Sequence, residues 1–375
     1  MVTVLAVSAI SLSQISSIYA TPDGLVPHDP LYIDGNAGFT PANGVTSGSG
    51  TENDPYIIEN WDISAENANG IGIRNTTVYF IIRNCVAENG GSSYYGIYFD
   101  NVQNGRVENC TCSNNRYGIY LYLGSSHNTL TNNTCVNNIT AAINLWFSSI
   151  NNLSNNTCSN SYYGIRMDSS SHNTLANNTC VNNGGNGIFL LSSSDFNILS
   201  NNTCKNNGDT GISLYQSPNT LSNNICENNG FFGISLDLAT STLSNNTCVN
   251  NGHTGIKVYF STSFSILENN TCSNNLYGIY LQRFSYNTLS NNTCVNNSCG
   301  IFFDVYSDNN TITNCTFENN GTGILFGNPY YPSKNNSVYN NNFINNENQA
   351  RDECSNYWDN GYPSGGNYWS DYTGV

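Results

Sequence analysis

Four aspartates, Asp100, Asp168, Asp237 and Asp304, occupy one position of a recurring unit, three residues after the Ile of a Gly-Ile pair. Glycoside chemistry uses two carboxyl groups ~5–10 Å apart, one as acid and one as base or nucleophile. These aspartates recur every third unit, and strands stacked ~4.8 Å apart would separate neighbours by ~14 Å. A dyad within the column is therefore excluded, and a second column must supply any partner. Arg166, two residues before Asp168, is the basic neighbour of note, so Asp168 and Arg166 are the catalytic candidates. The preferred reading is solvated acidic turns and no enzyme.

Metal ligation is the next chemistry to weigh. Of His28, His127, His172 and His253, only His127 and His172 share a repeat position. Two units of a strand stack put them ~10 Å apart, too far to share an ion easily. They are read as exposed turn residues. Of the 14 cysteines, nine form a column in "NNTC" or close variants: Cys112, Cys135, Cys158, Cys180, Cys204, Cys226, Cys248, Cys272 and Cys294. Thiolates bind soft metals, but an inward column of Cys acts as small apolar side chains. Stacked neighbours ~4.8 Å apart are also wider than the ~3.8 Å a disulfide prefers between Cβ atoms. Cys85, Cys110, Cys299, Cys315 and Cys354 fall outside the column. Of these, Cys110 is expected to pair locally and Cys354 to be oxidised or exposed. No metal site and no cofactor is expected.

Aromatic residues offer binding chemistry. The position after the Ile of "GI" carries Tyr98, Tyr120, Tyr280 and Phe302, and the position before the Gly carries Tyr95, Tyr117 and Tyr277. Rings at strand spacing could stack on sugars, as an exposed apolar patch marks an interaction site. The competing reading is that the rings only stabilise a sheet face, as cross-strand aromatic pairs do. The expected carbohydrate sites are two clusters: Tyr95, Tyr98, Tyr117 and Tyr120, then Tyr277, Tyr280 and Phe302. Sequons abound, among them Asn132, Asn155, Asn177, Asn201, Asn245, Asn269 and Asn291 in the "NNT" corners. Corner amides engaged in a ladder cannot carry glycan. Asn75, Asn138, Asn320 and Asn335, out of phase with the repeat, are the expected acceptors.

What positions these residues is the repeat itself. The "NNTC" cysteines are spaced 23, 23, 22, 24, 22, 22, 24 and 22 residues apart. Five residues before each stands Leu, Ile or Val, such as Leu130, Leu153 and Leu175, and a third column is the Ile of "GI", such as Ile119, Ile143 and Ile165. Each apolar stretch is too short for a helix, and "GIYL" alternates as a strand does. Three strands per turn predict an all-β, right-handed, single-stranded parallel β-helix, a solenoid in which each coil touches only its neighbours. About 11 or 12 coils of ~22–24 residues would make a rod of ~55 Å. Asn suits the corners because it tolerates left-handed backbone and can ladder between coils. The Gly before the Ile is read as the sharpest bend.

The chain has 375 residues and a net charge of −15, which argues against a nucleic-acid partner. Residues 1–20 read as a secretory signal lacking its basic start. No later run reaches the ~20 apolar residues of a membrane span. The expected organisation is an N-terminal cap over 21–65, repeats over 66–346 and a C-terminal cap over 347–375. The expected location is secreted or cell-surface.

The units "NTLSNNTCxNNxYGIYL", the opening "PLYIDGNAGFTPANGVTSGSGTENDPYIIENWDI" at 30–63 and the ending "NYWDNGYPSGGNYWSDYTGV" at 356–375 resemble the NosD-like archaeal cell-surface proteins with parallel β-helix repeats. The founding protein of that group is periplasmic and linked to copper-site maturation. "PHDP" at 27–30 is similar to the Asp-Pro-His-Asp signature of uronan epimerases but lacks its leading Asp. The resemblance implies the β-helix and leaves three functions open. The preferred one is a structural or adhesive surface protein whose partner is a polysaccharide or surface glycan. The alternatives are a polysaccharide lyase, hydrolase or epimerase, and a copper-handling protein.

Overall fold

The computed structural model describes residues 24–260 and 264–373; the leader expected at 1–20 lies outside them. The described residues wind into three parallel sheets of 15, 14 and 13 strands. Each strand pairs with its counterpart one coil on, in the register Cys112↔Cys135, Ile119↔Ile143 and Leu130↔Leu153. We call them the cysteine, isoleucine and leucine sheets after these inward columns. Cys135, Ile143 and Leu153 are all fully buried. Register is strongly specified, because a slip of one residue would turn a whole column to water.

The sheets hold more strands than the about 11 or 12 coils that the repeat columns count. The flanking segments explain the difference: Leu31–Asp34, Tyr56–Glu59 and Trp61–Ser64 open the stack, and Asn348–Asp352 and Tyr368–Trp369 continue it. Long excursions between these strands hide the period, although Ile33, Ile58 and Ile63 point inward at 0% exposure.

Asparagine ladders hold the corners. The Asn156 Oδ1 accepts the Asn133 backbone N–H at 3.0 Å and the Asn133 Nδ2 at 2.9 Å, while Asn133 Nδ2 also donates to Val107 O at 2.9 Å. Such bonds leave few buried amides unpaired in a fold whose turns are all packed between coils. Cys85, Cys110 and Cys315 stand in this ladder column. The thiols of Cys110 and Cys315 reach back to Ile82 O and Leu289 O at 3.7 and 3.6 Å, as an asparagine would. All 14 cysteines are free, so the local pairing expected of Cys110 is not formed, and Cys354, expected to be oxidised or exposed, is half-buried. Ladder packing, and not a disulfide, explains why these thiols leave the main column.

The Gly before each Ile has a different cause from the one expected. Gly118 and Gly211 are not among the positive-φ residues. A Cβ at Gly118 would lie 2.5 Å from Ala142 O of the next coil. Close approach between coils, not a bend, excludes the side chain.

Candidate functional site

The outer face of the isoleucine sheet gathers most of the chemically capable side chains. Three outward columns run along it in the register of the coils; alternation puts the second and third, two residues apart, on one face, and the first lies on the other side of the Gly, three residues before the second. One carries Tyr95, Tyr117, Ala141 and Tyr163. The second carries Tyr98, Tyr120, Asn144, Arg166 and Phe189. The third carries Asp100, Tyr122, Trp146 and Asp168, so the aspartate column and a set of aromatic rings are one and the same.

The first tyrosine cluster is closely packed: ring centroids lie 5.4 Å apart for Tyr95–Tyr117, 5.6 Å for Tyr98–Tyr120 and 4.8 Å for Tyr117–Tyr120. Tyr117 and Tyr120 are only 9% and 6% exposed and form a small outer core with Ala141. This is a correction: crowding by Tyr95, Tyr98, Tyr122 and Tyr163 turns those two rings from ligand platforms into sheet supports. Burial raises the Tyr95, Tyr98 and Tyr120 phenols above their ordinary value, so all three stay protonated. Exposure grows in the next rings along, past the half-buried Tyr122. Tyr122 lies 5.2 Å from Trp146, which lies 5.8 Å from Phe147, and Trp146 and Phe147 are 39% and 50% exposed. Sequence reasoning followed the column beside the Ile and missed them. The signal was present in "YLY" and "NLWF", two positions further on.

Each aspartate of the column is already partnered. Asp100 pairs with Arg74 at 2.9 Å, Asp168 with Arg166 at 3.1 Å and Asp237 with Lys257 at 2.8 Å. Asp304 Oδ2 accepts from the Tyr280 hydroxyl at 2.6 Å and from Gln282 Nε2 at 2.8 Å. Asp100 and Asp168 are three coils apart, ~14 Å, with Tyr122 and Trp146 between them. The structure thus joins Asp168 to Arg166 but brings no second carboxylate to them. Asn144, between Tyr120 and Arg166, is 1% exposed, and its Oδ1 has no hydrogen-bond partner.

Farther along the face, Lys257 Nζ sits 4.8 Å over the Tyr259 ring and 5.1 Å over Phe232. Beside it, Tyr215, Asp237, Leu238 and Phe260 line a shallow apolar cleft. In the second predicted cluster, Tyr277 stacks on Phe302 at 5.2 Å, and Tyr280, Tyr277 and Phe302 are half-buried.

The sequons sort by burial. Asn138 and Asn320 are 1% exposed, and their Nδ2 atoms donate to Cys112 O and Cys294 O. They are ladder residues and cannot accept a glycan, contrary to expectation. In each "NNT" the ladder amide is the second Asn, whereas the sequon Asn, such as Asn132 at φ 55, is exposed. The objection raised against those corners therefore falls. Asn75 and Asn335 are exposed.

Metal donors do not converge. His28 packs 4.6 Å from the Trp61 ring, and the column thiols are fully buried. Among the described residues no three His, Cys, Asp or Glu side chains are grouped to hold a metal ion. No described helix is long and apolar enough to cross a membrane.

Solved β-helices share the architecture at low identity. A mutant of the periplasmic alginate epimerase AlgG aligns with a TM-score of 0.53 and 16% identity, over 69% of this chain and 68% of its own. The catalytic domain of a GH87 alpha-1,3-glucanase in complex with tetrasaccharides gives 0.55 and 14%, over 77% and 64%. The A-module of the mannuronan C-5 epimerase AlgE4 of Azotobacter vinelandii gives 0.50 and 15%, over 92% and 93%. At such identities the likeness is one of fold. No curated protein matches the sequence. Residues 31–197, 180–266 and 219–374 match, between them most of the chain, and on that match the protein belongs to the family described as periplasmic copper-binding protein (NosD).

Proposed function

We propose that this β-helix works outside the cytoplasm as a structural or adhesive module that binds neutral carbohydrate along the outer face of its isoleucine sheet. The observation that carries this reading is the platform of half-buried Tyr122 and exposed Trp146 and Phe147, with Tyr122 and Trp146 in register between Asp100 and Asp168. Exposed rings offer the C–H faces of a sugar an apolar surface, and the flanking carboxylates and guanidinium groups can bond its hydroxyls. Charge selects the ligand class. The chain carries −15, and Arg74, Arg166 and Lys257 are already paired with aspartates, so a polyanion finds no free cationic row here.

The enzyme reading has less support: Asp34 and Asp100 stand two coils apart across Arg74, ~10 Å and so at the wide end of the ~5–10 Å a hydrolase needs, but Arg74 pairs with Asp100 and Asp34 accepts from Asn75 Nδ2. The copper in the family's description finds no fitting donor set among the described residues, and no step is assigned to it.

A glycan array with purified protein tests the proposal, with Trp146→Ala as control. Loss of a central ring of this kind costs about 2 kcal/mol, or about thirtyfold in Kd. Because Trp146 is 39% exposed, the fold should survive. Absence of any glycan signal, or unchanged binding by the variant, leaves only a scaffold role; release of shortened or unsaturated sugar would favour the enzyme.

A further inference from the structure

The last coil of the isoleucine sheet departs twice from the columns it should continue. The inward Ile column runs without a break from Ile71 to Ile324 and then meets Ala350. Two residues on, Phe303 and Phe326 are followed by Asp352. A carboxylate at an inward position is costly unless it is bonded, and Asp352 accepts from the Cys354 N–H at 2.8 Å, from Asn356 Nδ2 at 3.0 Å and from the Trp358 indole N–H at 3.0 Å. A sequence that had only to seal the core would keep large apolar side chains here. Small Ala350 instead lines a recess of about 650 Å³ at the end of the stack.

The other walls of the recess are aromatic and acidic. Trp369 stacks on Phe343 at 4.4 Å and 15°, so one indole face covers the core and the other is left to the recess. Trp358, held by Asp352, stands 5.8 Å from it at 46°. Tyr372, 75% exposed, lines the same recess, as do the exposed Glu347 and Asp371. Among the described residues neither of these two carboxylates forms an ion pair or a side-chain hydrogen bond, unlike the partnered aspartates of the outer column. No Lys or Arg lines the recess.

We infer that this recess binds a small organic ammonium cation. Indole offers the best ring face for such a cation, and the attraction grows as the site is desolvated. Two unpaired carboxylates, in a chain of net charge −15, set the sign of the ligand. A metal ion is the poorer fit, because it needs several oxygens converging on one point, and no three His, Cys, Asp or Glu side chains among the described residues are grouped to hold one. A diffuse cation needs ring faces and nearby negative charge, which are what the recess provides. The site lies nine coil steps from Trp146, ~43 Å along the rod, so it stands apart from the carbohydrate reading.

Isothermal titration calorimetry of the full chain tests it with tetramethylammonium, with putrescine and with tert-butanol, which has a similar shape to the first but no charge. At least one of the two cations should bind, and the stronger of them tells a quaternary ligand from a protonated amine. The alcohol should bind about tenfold more weakly than that cation. Glu347→Gln combined with Asp371→Asn alters only exposed, unpaired groups, so the fold is kept while affinity falls about fivefold. Trp369→Leu keeps an apolar contact with Phe343 but removes the indole face, and should weaken binding about tenfold. Binding of neither cation, equal binding of the alcohol, or full affinity in the double carboxylate variant overturns the inference. So does calcium binding that displaces the ammonium probe and is lost in that variant, which would make the site a metal site.

Discussion

Replacing Cys315 by Asn should make the protein more stable, which is unusual for a change at a fully buried position. Cys315 interrupts the ladder between Asn292 and Asn341. Its own N–H donates to Asn341 Oδ1 at 2.9 Å, but on the other side it offers Asn292 Nδ2 only a sulfur at 3.9 Å. At regular steps, such as Asn270 to Asn292, the Oδ1 accepts both the backbone N–H at 3.0 Å and the Nδ2 at 3.0 Å. Cys315→Asn would supply that oxygen to Asn292 and would turn a weak S–H contact to Leu289 O into an N–H···O bond. Net gains of about 0.5–1.5 kcal/mol per buried hydrogen bond, reduced by some overpacking, predict about 1–2 kcal/mol of stabilisation. Urea unfolding followed by far-UV circular dichroism reads the total as a higher midpoint at unchanged slope. Hydrogen exchange of the Asn292 amide reads the local bond as slower exchange. The reverse change, Asn224→Cys in mid-ladder, should cost about 2–3 kcal/mol, since it leaves buried groups unpaired. If Cys315→Asn destabilises the chain, or leaves the Asn292 amide as fast as before, the ladder is not what holds these corners.

Further expectations concern titration and reactivity. Burial pushes Cys158, Cys204, Cys248 and Cys294 well above the ordinary thiol value and Cys299 and Cys315 up to about 12, and at Cys112 the hydrogen bond with Cys135 raises it before burial does; hydrogen bonds with neighbouring thiols lower Cys85 and Cys180, and at Cys226 they outweigh burial. Because every cysteine but Cys354 is buried, thiol reagents at neutral pH should label Cys354 alone before unfolding, and a count of several fast thiols would contradict the closed core. His253 lies between the Phe232 and Tyr277 rings at 5.8 and 5.4 Å, where burial, then the charge of Lys257, holds its pKa below the ordinary value. Its contribution to stability is present above the unfolded value of about 6.5 and is lost as pH falls through the lower folded value. His253→Gln should flatten that part of the stability–pH curve, and an unchanged slope would remove His253 as its source.

Much of the architecture was legible because a strand stack writes itself into sequence as columns. Leu130, Cys135 and Ile143 fall at fixed offsets, and the same offsets set the register of three sheets. The opening and closing coils were less legible, because the excursions at 35–55 and 353–367 break the period while Ile58 and Phe343 keep the inward positions.

What the sequence determined by itself was periodicity: the fold, its inward columns and the corners that Asn builds. Which outward residues meet solvent was left to the tertiary structure, because exposure depends on neighbours a coil or two away. Tyr120 and Trp146 both lie on the outward face, yet crowding by four other tyrosines buries one while the other stays open. In "NNT", two identical side chains differ only in which of them the next coil engages. The left-handed geometry of Ile150 and Phe196 was likewise hidden, because a turn composed of Ser, Ile and Phe reveals its backbone only when the coils above and below it are in place.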